Sequence, residues 1–263
     1  MTPKNKILTI SLSVLSVIVL FVVLSSTVFT VKKIEVNWLS SKSELFEISN
    51  KTIVSESGLN YGTNVFFVGK QSSVDKLEKK YPYIKIENIE TVFPNKLIIH
   101  AQERQEVFAV NLEGCHLILD SQFKVLKKVS GEFISSSTNA ILIGGDFNFS
   151  QDAGEKLTIT QNMVSLAYLE DGFYKNRDEN ETSQNLTLMK NFLKSVQCFD
   201  TKLIFQTFLG VKIEIYNPTL SLQKKVAMLN YVFSTLDENQ KQTGTIIIGD
   251  RNGKVQGSYT KHE

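Results

Sequence analysis

The chain has 263 residues, which is enough for about two domains of ordinary size. Its 29 basic and 27 acidic residues leave a net charge of only +2, which argues against a protein that binds nucleic acid through bulk charge. A hydrophobic share of 42% can build a buried core, so the composition excludes a wholly disordered chain.

An apolar segment near the N-terminus predicts a membrane span. No charged residue occurs between Lys6 and Lys32, and the interval from Ile7 to Val31 has 25 residues. As a helix it would extend roughly 37 Å, enough to cross a hydrocarbon layer about 30 Å thick. The alternative is a cleaved signal peptide, but the apolar run is longer than usual for one, and Ser25–Phe29 offers no Ala-x-Ala cleavage site. We therefore expect an uncleaved helix at 7–31 after a short tail at 1–6, the tail being cytoplasmic, although the flanking lysines are nearly balanced.

The region after this segment is predicted to form strand, helix and helix in that order. The expected elements are a strand at Val31–Trp38, a helix at Lys51–Ser57, a turn at Tyr61–Asn64, an extended run at Val65–Val68 and a helix at Val74–Lys80. Ser49 or Asn50 can cap the first helix, which Gly58 ends. Ser73 is expected to cap the second helix, and Pro82 stops it.

A β-hairpin is predicted next. Apolar residues recur at every second position in Ile84–Val92 and in Leu97–Gln102, which is typical of strands with one buried face. Pro94 and Asn95 between them favour a turn, because proline fixes φ and asparagine tolerates the second central position.

These motifs together resemble a known domain. Gly62-Thr63-Asn64-Val65-Phe66, a helix that ends in Tyr81-Pro82-Tyr83-Ile84, the run Val92–Ile99 and the pair Glu103-Arg104 are similar to the POTRA domain of the FtsQ/DivIB bacterial division proteins. The resemblance implies a POTRA domain (β-α-α-β-β) at 32–103 that follows a single membrane helix. The chain departs from the family after Arg104, where Gln105-Glu106-Val107 replaces a usual proline.

The remaining residues predict a second, mixed β-sheet domain at 104–260 with flanking helices, so the fold class is α+β. The expected strands are Val107–Leu112, Cys115–Asp120, Phe123–Lys128, Ala140–Gly145, Leu203–Phe208, Val211–Tyr216, Thr245–Gly249 and Lys254–Tyr259. The expected helices are Thr160–Leu169, Leu186–Phe199 and Leu220–Leu236, with a disordered loop at Asn176–Ser183. Asn252-Gly253 is a strong signal for a closing hairpin, and the family resemblance implies one here. Leu119–Phe123 resembles the family's LxDxxG hairpin without its glycine.

Few residues suggest catalysis. His100, His116 and His262 have no metal-type spacing with other ligands, and no nucleophile or phosphate-binding motif occurs. Gly144-Gly145-Asp146 and Asp250-Arg251 are interpreted as turn residues. Cys115 and Cys198 are expected to be two separate buried thiols, with a disulfide as the alternative. No cofactor and no metal are predicted.

The resemblance implies a non-catalytic membrane scaffold of the division machinery, with its bulk outside the plasma membrane at the septum. Its implied partners are small bitopic division proteins of the FtsB/DivIC and FtsL types and the septal penicillin-binding protein. Partners are expected to add a strand to an exposed sheet edge, above all at Lys254–Tyr259. The residues carried over by the resemblance are Ile246, Ile248, Val255, Gly257, Ser258 and Tyr259.

Two alternatives stay open at this point. Asn-x-Ser/Thr triplets at Asn50, Asn148, Asn180 and Asn185 would suit a type II membrane enzyme with a glycosylated lumenal domain. A POTRA-bearing secretion or assembly factor is the other, although such proteins usually carry several POTRA units or a barrel.

Overall fold

The computed structural model describes residues 12–20, 23, 26–40, 43, 47–133, 140–145, 149–158, 165–166, 192–199 and 201–261. These residues form two compact units that divide between Arg104 and Gln105. The predicted loop at Asn176–Ser183, most of the helix predicted at Thr160–Leu169, the first six residues of the helix predicted at Leu186–Phe199, and His262 lie outside the described residues.

The first unit has the predicted order of strand, helix, helix and hairpin. Its elements are β1 (Lys33–Trp38), α1 (Asn50–Glu56), α2 (Lys70–Lys80), β2 (Ile84–Val92) and β3 (Lys96–Glu103). The strands form a sheet in the order β1-β3-β2, in which β1 is parallel and β2 antiparallel to β3. Ile53 of α1 and Leu77 of α2 are fully buried against apolar residues of the sheet. Their burial holds both helices on the sheet.

The two helices of this unit begin at different kinds of residue. The Ser49 hydroxyl caps α1 by accepting a 3.1 Å hydrogen bond from the Thr52 N–H, as predicted. The predicted start of α2 is wrong, because the helix begins at Lys70 and Ser73 lies inside it. The Ser73 hydroxyl donates to the Gly69 carbonyl at 3.1 Å, a common bond of serine within helices. The apolar residues at helical spacing begin only at Val74, so the sequence pattern predicted a start that is too late.

The predicted extended run at Val65–Val68 is also wrong, because Asn64–Phe67 forms a turn. The Asn64 side-chain oxygen accepts from the Phe66 N–H, and its carbonyl accepts from the Phe67 N–H, both at 3.0 Å. Asparagine commonly stabilises a turn in this way. The turn buries Val65 but leaves Phe66 and Phe67 exposed.

The end of the predicted membrane span overlaps with the first unit. Val31 is buried in the core of this unit, and Thr30 forms a β-bridge with Asn64. Residues 12–20, 23, 26 and 27 are helical, and their side chains are exposed. In the described part of the chain, no helix has both the length and the hydropathy to span a membrane.

The described residues of the second unit form a nine-stranded mixed sheet. Its strands are β4 (Phe108–Leu112), β5 (Cys115–Leu119), β6 (Val125–Ser130), β7 (Ile141–Gly144), β8 (Leu193–Cys198), β9 (Lys202–Thr207), β10 (Lys212–Tyr216), β11 (Thr245–Arg251) and β12 (Lys254–Thr260). Their order in the sheet is β12-β11-β10-β9-β8-β7-β4-β5-β6. The pairs β4–β7, β7–β8 and β10–β11 are parallel, and the others are antiparallel. The prediction of a mixed β-sheet domain is therefore confirmed.

One long helix, α3 (Leu222–Thr235), packs against this sheet near β11 and β12. Val226 and Leu229 are buried, and Leu222 and Phe233 pack against the same core, so the predicted apolar stripe faces the sheet. The closing hairpin also has its predicted turn, because Asn252 has φ 53° and Gly253 has φ 72°. Positive φ at both central residues is the requirement of a type I′ turn.

The helix predicted at Leu186–Phe199 is wrong where the structure describes it, because Leu193–Cys198 forms β8. Leu193 and Val196 are both buried, a three-residue spacing that resembles one face of a helix. The register of β8 on β9 shifts between Leu193 and Ser195. Such a bulge adds one residue to the strand, so side chains three apart can face the same side.

Phe123 occupies the position where the resembled hairpin has a glycine. Its φ of 60° lies in the left-handed region, which is unusual for a bulky residue. Its ring is buried and stacks on Phe108 with centroids 5.2 Å apart, and this burial offsets the unfavourable backbone conformation. The predicted strand consequently begins two residues later, at Val125.

Candidate partner-binding edge

The last strand of the chain occupies one end of the nine-stranded sheet. β12 pairs with β11 in antiparallel register from Thr245↔Thr260 to Arg251↔Lys254. Among the described residues, no strand pairs with the other side of β12. Because alternate residues of such a strand direct their N–H and C=O groups away from the neighbour, this edge can accept a further strand.

The two faces of β12 differ in exposure. Val255, Gly257 and Tyr259 are half-buried on the face that carries α3, whereas Gln256 and Ser258 on the opposite face are exposed. The Tyr259 hydroxyl donates to the Thr243 carbonyl at 3.1 Å. The half-buried face therefore fixes the strand to its own domain, and the exposed face and the backbone edge remain accessible.

Ile246 and Ile248 do not lie on β12 with the other predicted site residues. Both belong to β11, and both are fully buried. β11 is hydrogen-bonded to β10 on one side and to β12 on the other, so its backbone is already paired. Their side chains support β12 from the core: Ile246 is opposite Tyr259, and Ile248 is opposite Gly257.

Gly257 allows the close approach of α3 to β12. A Cβ atom at this position would lie 2.7 Å from Val232 Cγ2, 2.8 Å from Ile248 Cδ1 and 2.9 Å from Met228 Cγ. These distances are shorter than ordinary van der Waals contacts, so a larger residue would force the helix away from the strand.

We expect Gly257→Ala to lower the free energy of unfolding of the second unit by about 1–3 kcal/mol, the usual cost of overpacking. The measurement is hydrogen exchange of the amides in α3 and β12 at increasing urea concentrations. Gln256→Ala, one residue away on the exposed face, is the matched control and should change little. Equal stability of the two variants would contradict the close packing of α3 on β12.

An ion pair between a fully buried lysine and a partly exposed aspartate joins α3 to the β11–β12 hairpin. The Lys225 side chain is fully buried, and its Nζ lies 2.5 Å from Asp250 Oδ2 and donates to the Asn217 carbonyl at 2.8 Å. The prediction that Asp250 is an exposed turn residue is wrong in its secondary structure, since the residue lies in β11, where its carboxylate neutralises this ammonium group. No sequence signal marked the pair, because Lys225 has an ordinary place in an amphipathic helix.

The first unit offers a second sheet edge. β1 pairs only with β3 among the described strands, and a groove of about 730 Å³ lies beside it. The groove is lined by Ile34, Glu35, Val36, Asn50, Lys51, Val54, Ser55, Leu59 and Tyr61. The Asn50 amide oxygen in this lining accepts a 2.8 Å hydrogen bond from Trp38 Nε1. Of the Asn-x-Ser/Thr triplets that would suit the alternative of a glycosylated enzyme, those at Asn148, Asn180 and Asn185 lie outside the described residues.

The two described histidines, His100 and His116, take part in structural contacts. His100 Nε2 lies 2.8 Å from Glu90 Oε2, and its Nδ1 lies 3.2 Å from Asn37 Nδ2. His116 Nδ1 donates to the Gly131 carbonyl at 2.8 Å. Over the described ranges, no three His, Cys, Asp or Glu side chains are grouped so that they could hold a metal ion.

The two cysteines are free thiols on different strands, Cys115 on β5 and Cys198 on β8. The strands β7 and β4 lie between them in the sheet, so the alternative of a disulfide between these residues is wrong. Burial raises the pKa of the Cys198 thiol to about 12. This thiol is therefore protonated at neutral pH and is a poor nucleophile.

Comparison with known proteins bears on the first unit. Residues 42–104 match the family model of the FtsQ-type POTRA domain. The cell division protein DivIB of Clostridium acetobutylicum is 31% identical to this chain over 87 residues, which are 32% of this chain and 34% of the relative. The matched region thus spans about a third of that relative's length. The predicted resemblance to the FtsQ/DivIB family is confirmed by these two matches.

Proposed function

From the match of residues 42–104 to the FtsQ-type POTRA domain and the 31% identity to DivIB, we propose that the chain is a member of the FtsQ/DivIB family and acts as a membrane-anchored, non-catalytic scaffold of the bacterial division machinery. In this proposal residues 1–6 are a cytoplasmic tail and the apolar segment that begins at Ile7 is the anchor. The POTRA domain at 32–103 and the β domain at 104–260 lie outside the plasma membrane at the septum.

The observation that carries the proposal is the position of β12 at the end of the sheet. A partner that contributes an antiparallel or parallel strand would satisfy the outward N–H and C=O groups of β12 and continue the sheet. The partners we propose are small bitopic division proteins of the FtsB/DivIC and FtsL types, together with the septal penicillin-binding protein. Within the predicted site, Val255, Gly257, Ser258 and Tyr259 form the edge, and Ile246 and Ile248 support it from the core.

Anchoring would strengthen such an interaction without any added contact. Two proteins held in one membrane meet at a much higher effective concentration than two proteins free in solution. A single strand addition of moderate affinity is then sufficient to assemble the complex, and it leaves the complex reversible.

Ser258→Glu is the substitution that tests the edge. Ser258 is exposed on β12, so a carboxylate there should leave the fold intact and should disfavour the pairing of an added strand. We expect the full-length variant to lose most co-purification with the small bitopic partners, while its unfolding midpoint stays the same. Val255 is unsuitable for this test because it packs against the core.

Ser130→Glu is the matched control. Ser130 is exposed at the end of β6, the strand at the opposite end of the same sheet. The control should retain its partners, because it places the same charge on the other edge. Retention of the partners by a folded Ser258→Glu variant would refute strand addition at β12.

A further inference from the structure

An aromatic cluster surrounds the point where the chain enters the first unit. We use this name for Phe29, Phe66, Phe67 and Phe93. The ring centroid of Phe66 lies 5.5 Å from that of Phe29 and 5.5 Å from that of Phe93, and the centroids of Phe29 and Phe93 are 6.2 Å apart. Phe66 is 55%, Phe93 58% and Phe67 82% exposed. Exposed apolar side chains gathered in this way mark interaction surfaces.

Backbone hydrogen bonds fix the cluster beside the end of the N-terminal helix. The Val65 N–H donates to the Phe29 carbonyl, and the Lys32 N–H donates to the Asn95 carbonyl, both at 2.8 Å. These bonds hold the turn that carries Phe66 and Phe67, and the turn that carries Phe93, against residues 29–32. Thr27, the last described helical residue, is only two positions before Phe29. The cluster therefore lies next to the point where the chain leaves the apolar helix.

The surroundings of the cluster carry positive charge. The segments 29–33, 61–68 and 93–96 contain Lys32, Lys33 and Lys96 and no acidic residue. Lys33 and Lys96 both pair with Glu35, whereas Lys32 is exposed and forms no ion pair with a carboxylate in the described part of the chain. Aromatic rings with lysines beside them are typical of surfaces that contact the interface of an anionic membrane.

We propose that the aromatic cluster inserts into the interface of the bilayer that holds the N-terminal helix, with Lys32 facing anionic lipid headgroups. This inference rests on the anchor of the proposed function. The chain from residue 7 to residue 28 has 22 residues and would extend roughly 33 Å as a helix, so it still spans the hydrocarbon when Phe29 lies at the interface. Attachment through the helix and through the cluster restricts the rotation of the POTRA domain about its tether.

A tryptophan placed in the cluster can report its depth. Trp38 is the single tryptophan of the chain, so Trp38→Phe gives a silent background for Phe67→Trp. The full chain is reconstituted in vesicles of phosphatidylcholine and phosphatidylglycerol, with and without bromine on the acyl chains. We expect the emission of the new tryptophan to shift to the blue and to lose most of its intensity in brominated vesicles, because bromine quenches only rings that reach the acyl chains.

Leu39→Trp in the same background is the matched control. Leu39 is 52% exposed and follows the far end of β1, about 20 Å along the strand from Lys33. Its emission should be the same in both kinds of vesicle. Membrane insertion is refuted if the tryptophan at position 67 is quenched no more than the tryptophan at position 39. The same result is expected if a protein partner, and not the bilayer, covers the cluster.

Alkaline extraction of the reconstituted chain distinguishes a failure of this inference from a failure of the proposed function. A chain that resists alkaline extraction from the vesicles but shows no quenching at position 67 refutes the inference alone and leaves the anchor intact. A chain that alkaline extraction removes refutes the anchor and, with it, the insertion of the cluster.

Discussion

Asp250→Ala is expected to lower the free energy of unfolding of the second unit by about 3–5 kcal/mol, the usual cost of breaking a buried ion pair. The substitution leaves the Lys225 ammonium buried with only the Asn217 carbonyl as a described partner. Lys225→Met should be tolerated better, because Asp250 is 27% exposed and can be hydrated when its partner is lost. Hydrogen exchange of the amides in α3 and β11 under increasing urea measures both effects.

Asp152→Ala is the control for this prediction. Asp152 also pairs with a lysine, Lys128, but its side chain is 77% exposed. Exposed pairs contribute little to stability, so this variant should unfold close to the wild-type midpoint. If Asp250→Ala and Asp152→Ala had the same small effect, the buried pair would not hold α3 to the β11–β12 hairpin.

Arg104→Met is expected to destabilise the first unit by a similar amount, about 3–5 kcal/mol. The guanidinium Nη2 lies 2.7 Å from Glu78 Oε2, and its Nε donates to the Ile84 carbonyl at 3.3 Å. The other oxygen of Glu78 accepts from the Ile86 N–H at 2.8 Å, so the pair ties α2 to the start of β2. Both side chains are largely buried, at 6% and 14% exposure.

Urea unfolding followed by the fluorescence of Trp38 measures this change, because the single tryptophan lies in the first unit. Lys80→Met, which removes an exposed pair between Lys80 at the end of α2 and Glu56 at the end of α1, is the control and should have little effect. An Arg104→Met variant that unfolds at the wild-type midpoint would show that the pair does not stabilise the POTRA fold.

Features with local causes could be predicted from the sequence. The Asn252-Gly253 turn, the Ser49 cap and the stripe of α3 each depend on residues within a few positions of one another. The resemblance to the POTRA domain also rested on short motifs, which lie between Gly62 and Arg104. These local features were therefore predicted correctly, whereas the local turn at Asn64–Phe67 and the start of α2 were not.

Features that depend on distant residues could not be predicted. The bulge at Lys194 that turns an apparent helix into β8 exists only because β9 pairs with it. The pairs Lys225–Asp250 and Glu78–Arg104 join residues 25 or 26 positions apart that no spacing rule connects. The order of the nine strands likewise depends on packing between distant segments. That order places Ile246 and Ile248 in the core and β12 at the edge.

The central claim is that a partner extends the sheet along β12, and amide hydrogen exchange measured residue by residue tests it most directly. The full chain is compared with and without the extracytoplasmic part of a small bitopic division partner. We expect new protection at alternate residues of β12, those whose N–H groups point away from β11, and no change in β6 at the opposite end of the sheet. Binding that leaves the exchange of every β12 amide unchanged would contradict it.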